Sequence, residues 1–193
     1  MRARSDAVRN RDALIAAARR VFEAEGSDAP LVNVAAAAGL SRTSLHRAFA
    51  SRSELLAAIW ASDVEETEAD AARFADRPDA FVAIFESTLA QQVDRRSIHP
   101  STAQIESAGI VALAARFVAA IESTVKVSRA AGVLRSDITD AAGLRAVGMG
   151  IWAVWNVAER TERQAVAADV RTLLLRGLLD PDWAVSHPEH ATC

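Results

Sequence analysis

The chain has 193 residues, 51% of them apolar and 24% charged, enough for one sizeable domain or two small ones around a buried core. No run reaches the roughly 18 to 20 uninterrupted apolar residues of a membrane span, and the N-terminal MRARSDAVRNRDA lacks the hydrophobic region of a signal peptide, so the expectation is a cytoplasmic protein with no membrane partner. The lone cysteine, Cys193, excludes an intrachain disulfide and a cysteine metal cage, while the net charge of −3 divides unevenly: residues 1–56 hold nine Arg against six acids, and residues 57–193 hold thirteen basic against nineteen acidic residues.

In chain order, Leu14, Ile15, Ala18, Val21 and Phe22 recur at helical spacing and stop at Gly26, which predicts a first helix. Val34 to Phe49, reading VAAAAGLSRTSLHRAF, then joins a short Ala-rich helix to a polar one through one glycine. Small residues such as Ala35 and Ala38 let two helices approach closely, Gly39 tolerates the positive φ that a tight turn needs, and Leu40 plugs the junction. Ser41 is placed to cap the next helix, its hydroxyl accepting from the N–H of Thr43 or Ser44. Val34, Ala38, Leu40, Leu45 and Phe49 fall where a three-helix core needs apolar contacts, leaving Arg42, Thr43, Ser44, His46 and Arg47 outward. Those side chains are of the types that read a DNA groove. Ser51, with Glu54 three residues on, opens a fourth helix with a capping box.

Over about the first 56 residues the chain resembles the tetracycline-repressor-like (TetR) family of transcriptional regulators, in the pattern LIAAARRVFEAEG, the AAGLS turn, the closing aromatic Phe49, and Arg52 before Leu55 and Leu56. It departs from the family where His46 replaces the usual Tyr, Ala48 a His, Arg52 a Lys and Pro30 a Thr. The resemblance implies a DNA-binding head in which Arg42, Thr43, Ser44, His46, Arg47 and Arg52 meet double-stranded DNA. An imidazole N–H of His46 can take over from a Tyr hydroxyl at a phosphate, Arg52 can grip phosphate bidentately, and Ala48 can donate nothing. The basic head and acidic remainder suit a DNA reader joined to a soluble regulatory body.

The rest of the chain also reads as helix: it has no Tyr, no sustained β-branched alternation and no Asn-Gly or Asp-Gly turn. A helix from about Ser53 to Phe74 carries the solvated acidic run DVEETEAD and would act as the lever between head and body. Asp79 is placed to cap a helix from Ala80 to about Asp94, and His99-Pro100-Ser101 forms the next break. A short helix follows from Thr102, then a long one with Ile110, Leu113, Phe117, Val118, Ile121 and Val125 on one face, ending at Gly132. Thr139 opens a helix through Glu159 lined by Leu144, Val147, Gly148, Ile151, Trp155 and Ala158, and a last one carries Val166, Val170, Leu173, Leu174, Gly177 and Leu178 before Pro181.

The fold class expected is therefore all-α, with a helix-turn-helix domain over residues 1–52 and a helical ligand-binding and dimerisation domain over 53–193. No HExxH, P-loop, GxSxG or paired-Gly phosphate loop occurs, so neither catalytic nor metal residues nor a cofactor are assigned, and His187, Glu189 and His190 read as a polar tail. The resemblance implies an apolar effector cavity in the body. Its candidates are Trp60, Phe81, Phe85, Phe117, Ile121, Trp152 and Trp155, with Gln92, Gln104, Glu106, Arg116 and Asn156 as polar contacts, which suits an apolar or weakly polar small molecule. It also implies a homodimer through the last two long helices, at Leu144, Gly148, Ile151, Val166, Val170, Leu173, Leu174 and Gly177. The function expected is a ligand-released repressor on a palindromic operator. The alternatives are a protein of the same shape without specific DNA binding, and an all-α enzyme.

Overall fold

The computed structural model describes residues 2–26, 28–95 and 108–191, and among these every regular element is an α-helix, with a single isolated antiparallel bridge between Leu134 and Leu179. The expected break at His99 to Ser101, the helix start at Thr102, the polar candidates Gln104 and Glu106, and Cys193 lie outside the described residues. Among the described residues, those up to Asp63 and from Ala108 to Leu113 form one compact unit, and those from Val64 to Arg95 and from Ala114 onward form another.

In the first unit, α1 (Arg2–Glu25) buries Leu14, Ala17, Ala18, Val21 and Phe22 at steps of three and four, the spacing of one helix face. α2 (Leu31–Ala37) follows Pro30, which has no side-chain acceptor and leaves the helix start without a side-chain cap. Gly39 then turns the chain at φ 67°, where an L side chain would be strained, while its N–H donates to Ala36 O at 3.0 Å and that of Leu40 to Ala35 O at 2.9 Å. α3 (Arg42–Ala48) begins with the Ser41 hydroxyl accepting from Ser44 N at 3.1 Å.

Ser51 caps α4 (Arg52–Phe74) in the same way, accepting from Glu54 N at 3.1 Å, and the Glu54 carboxylate accepts in return from Ala50 N at 2.7 Å. The core of this unit does not stop at the boundary expected after residue 52: Leu55, Ala58 and Ile59 of α4 belong to the same buried cluster as Leu14, Phe22, Val34, Leu45 and Phe49. Burying each large apolar side chain there is worth about 1.5–3 kcal/mol.

The second unit contains the rest of α4, then α5 (Ala80–Arg95), the greater part of α6 (Ala108–Ala130), α7 (Asp140–Trp155), α8 (Arg160–Leu178), α9 (Pro181–Ser186) and α10 (Pro188–Ala191). α5 buries Ala80 through Phe85 without a break, because α7 and α8 both pack on it. Close approach depends on two glycines of α7. A Cβ at Gly143 would sit 2.6 Å from Val125 Cγ2, and one at Gly150 would sit 3.0 Å from Leu89 Cδ2 and 3.3 Å from Phe85 Cε2.

Thr139 caps α7 as its sequence suggests, accepting from Ala142 N at 3.1 Å. The helix ends at Trp155 rather than Glu159, since Asn156 turns its side chain back to donate to Trp152 O at 2.7 Å. The expected polar tail around His187, Glu189 and His190 carries the short helix α10 behind α9: Asp180 caps α9 by accepting from Asp182 N and Trp183 N, and Trp183 stacks on His187 at 4.2 Å and on His190 at 5.5 Å.

Candidate nucleic-acid interface

α3 is held by one wholly buried side chain, Leu45, and by Phe49 just past its end, both 1% exposed. That anchorage turns Arg42, Thr43, His46 and Arg47 to solvent, and leaves Ser44 half-buried with its hydroxyl 2.9 Å from that of Ser41. Arg42 Nε donates to His46 Nε2 at 3.4 Å. Arg47 lines a groove of about 540 Å³ with Ser44 and Ala48 on one side and Asp6, Ala7, Val8, Asn10 and Arg11 of α1 on the other.

The basic residues of this unit sort by what their N–H groups already hold. Arg52, expected at a phosphate, donates through Nη2 to Ala29 O at 2.7 Å and lies over the Phe22 ring at 5.6 Å, which fastens the start of α4 to the loop after α1. Arg19 donates to Ile59 O at 2.9 Å and pairs with Asp63 at 2.7 Å, and Arg20 reaches Ala37 O at 3.3 Å. Arg11, which the sequence did not single out, lies over the Phe49 ring at 5.0 Å and shares the groove with Arg47. No local pattern marks it, because the groove forms only when α1 and α3 pack.

Residues 14–59, the segment that builds this helix-turn-helix, match the model of the bacterial regulatory proteins of the tetR family. The segment thus matches a tetR-type head. Most of the chain's length is similar to solved structures. One is the fatty acid degradation regulator FadR from Bacillus halodurans, 14% identical over 87% of this chain and 95% of that one, with a TM-score of 0.70. A second is an ArpA-like gamma-butyrolactone receptor, 17% identical over 96% of each chain, also at 0.70. A third is a TetR transcription regulatory protein from Mycobacterium vanbaalenii, 21% identical over 92% of this chain and 99% of that one, at 0.64. Identities this low establish a shared TetR fold, and no curated protein matches the sequence.

In the body of this TetR fold the expected effector residues separate. Phe81, Phe85 and Ile121 are wholly buried, with the two Phe rings stacked at 6.1 Å, and Phe117 packs partly buried against the same cluster. Trp60 lies on the part of α4 that belongs to the first unit. Trp152 is 62% exposed on the outside of α7, stacked on Trp155 at 5.4 Å. Of the polar candidates, Gln92 is buried, Asn156 caps α7, and Arg116 is taken by the Glu68 carboxylate in a two-toothed pair at 2.8 and 2.5 Å, which holds the Glu68 carboxyl below its ordinary range.

The stripe expected to meet a second copy also divides. Ile151 is buried in the body's own core, and Leu144, Val166, Val170 and Leu174 pack partly against it. Gly148, Leu173 and Gly177 remain exposed and, with Arg145, Met149 and Trp152, line an apolar groove of about 700 Å³ between α7 and α8. α7 thus has two apolar faces: Val147, Ile151 and Val154 point inward, and Gly148, Met149 and Trp152 point outward. Met149 lies on the outward face, off the helical stripe that the spacing of Leu144, Gly148, Ile151 and Trp155 picks out.

Proposed function

We propose that the protein is a transcriptional repressor that binds a palindromic operator as a homodimer and is released from it by a small, apolar or weakly polar molecule. The observation that carries this reading is the solvent-facing row Arg42, Thr43, His46 and Arg47, with half-buried Ser44 beside them, on a helix fixed by Leu45 and Phe49. Arg and the small hydroxyl residues are the types that hydrogen-bond base edges in a major groove. A helix of seven residues reaches too few bases to select one site in a genome, and a two-fold pair reading two half-sites supplies the rest.

The outer face of α7 and α8 supports the pairing. Leu173 at 70%, Trp152 at 62% and Met149 at 55% exposure make an apolar surface that a soluble monomer rarely leaves open. The effector reading rests on the interior around Phe81, Phe85, Phe117 and Ile121, which suits a small molecule with little polarity. One similar structure is named as a receptor for a gamma-butyrolactone, a ligand of that chemical class. Release then requires the effector to bind a form of the dimer with low operator affinity better than the form that holds DNA.

Selection of duplexes from a random library by the purified protein tests the proposal. An inverted repeat should emerge, with half-sites about one helical turn apart or at a multiple of it. A selected pool with no shared sequence would favour the same shape acting as a small-molecule-binding protein without specific DNA recognition.

A further inference from the structure

We propose that Arg11 of α1 grips the DNA backbone beside α3, at a place where α3 itself ends in a side chain that can donate nothing. The inference rests on the DNA-binding reading of α3. The last residue of that helix is Ala48, which lines the groove together with Asn10 and Arg11, so the donors at this groove are Ser44 and Arg47 of α3 and Asn10 and Arg11 of α1. The acid in the groove, Asp6, is engaged by Arg9.

Arg11 is also held ready. Phe49 is fixed in the core, and the Arg11 guanidinium lies over its ring at 5.0 Å, a contact with the ring face that consumes no N–H donor and leaves those groups for another acceptor. Arg19, Arg20 and Arg52 have N–H groups committed to carbonyls of their own chain, and Arg42 donates to His46. The Arg11 guanidinium donates no hydrogen bond among the described residues. An edge of parallel N–H groups, exposed and set beside the proposed base reader Arg47, matches two oxygens of one phosphate. A phosphate contact of this kind positions the protein without carrying sequence information.

The test is a set of titrations of the full chain, as wild type, Arg11→Ala, Arg11→Lys and Arg47→Ala, against the selected repeat and a shuffled duplex over a range of salt, with thermal melts of each variant. Arg11→Ala should bind both duplexes about five- to tenfold more weakly, and the slope of log K against log salt should fall by about one counterion. Arg11→Lys keeps the charge and should restore most of the slope. Unchanged affinity and slope in a folded Arg11→Ala protein overturns the assignment, as does a loss confined to the selected repeat. Weaker binding at an unchanged slope overturns it too, because a purely structural role for Arg11 predicts that outcome. A wild type that binds neither duplex overturns the DNA-binding reading and the Arg11 inference together, whereas a binding wild type with an indifferent Arg11 removes the inference alone.

Discussion

Arg47 and Arg52 carry the same charge and lie five residues apart in the chain, yet one faces solvent and the other is bonded to Ala29 O. Arg47→Ala should cost about 1–3 kcal/mol of operator binding, concentrated at one base position, and leave the melt unchanged. Arg52→Ala should do the reverse, lowering stability by about 1–2 kcal/mol through the loss of a hydrogen bond and a ring contact, with no change in the salt slope of DNA binding. Urea melts beside salt-dependent titrations separate the two, and a lowered slope for Arg52→Ala at unchanged stability would return that residue to the DNA face. Residue types were legible in the sequence. Their commitments were not, because the partner of Arg52 lies 23 residues away, in a loop whose path depends on packing.

Elements show the same division between local and distant causes. The caps at Ser41, Ser51 and Thr139 could be read from sequence because their hydrogen bonds span three residues. Which helical glycines mark close contacts could not, since that depends on the neighbouring helix. Gly143→Ala should destabilise by about 1–3 kcal/mol, because the new methyl meets Val125, whereas Gly148→Ala faces open space and should be neutral or stabilising by up to about 1 kcal/mol. Denaturant melts that rank the two in the opposite order would refute the packing of α7 on α6.

Asp79, expected as the cap of α5, has its carboxylate engaged by the Arg77 fork at 2.9 and 2.6 Å, a hydrogen-bonded pair that lowers its pKa. A lowered folded value means that this stabilisation is present above the ordinary Asp pKa of about 3.9 and is lost as pH falls through the lowered value. Asp79→Asn should therefore be less stable than wild type at neutral pH and lose less stability on acidification. Parallel stability–pH curves for the two proteins would contradict the pairing.

At the scale of the whole molecule, the all-α class and the helix-turn-helix were legible because periodicity, caps and the Gly39 turn all act locally, whereas the limit of the first unit was not. The expected boundary falls at residue 52, but Leu55 and Ile59, a turn and two turns further on, complete the core. The outer face of α7 and α8 was half legible: Gly148, Leu173 and Gly177 lie on it, while Ile151 belongs to the monomer. Leu173→Glu places a charge on a side chain that is 70% exposed, so the subunit should stay folded while sedimentation shows monomers and operator affinity collapses. A folded dimer with full affinity would place the seam elsewhere.

The most direct test of a dimeric repressor reading DNA through α3 is an equilibrium titration of the wild type against its selected inverted repeat and a shuffled duplex at physiological salt. The account predicts a preference of about 10³ or more for the repeat, with one dimer bound per repeat. Equal affinity for the two duplexes would contradict it.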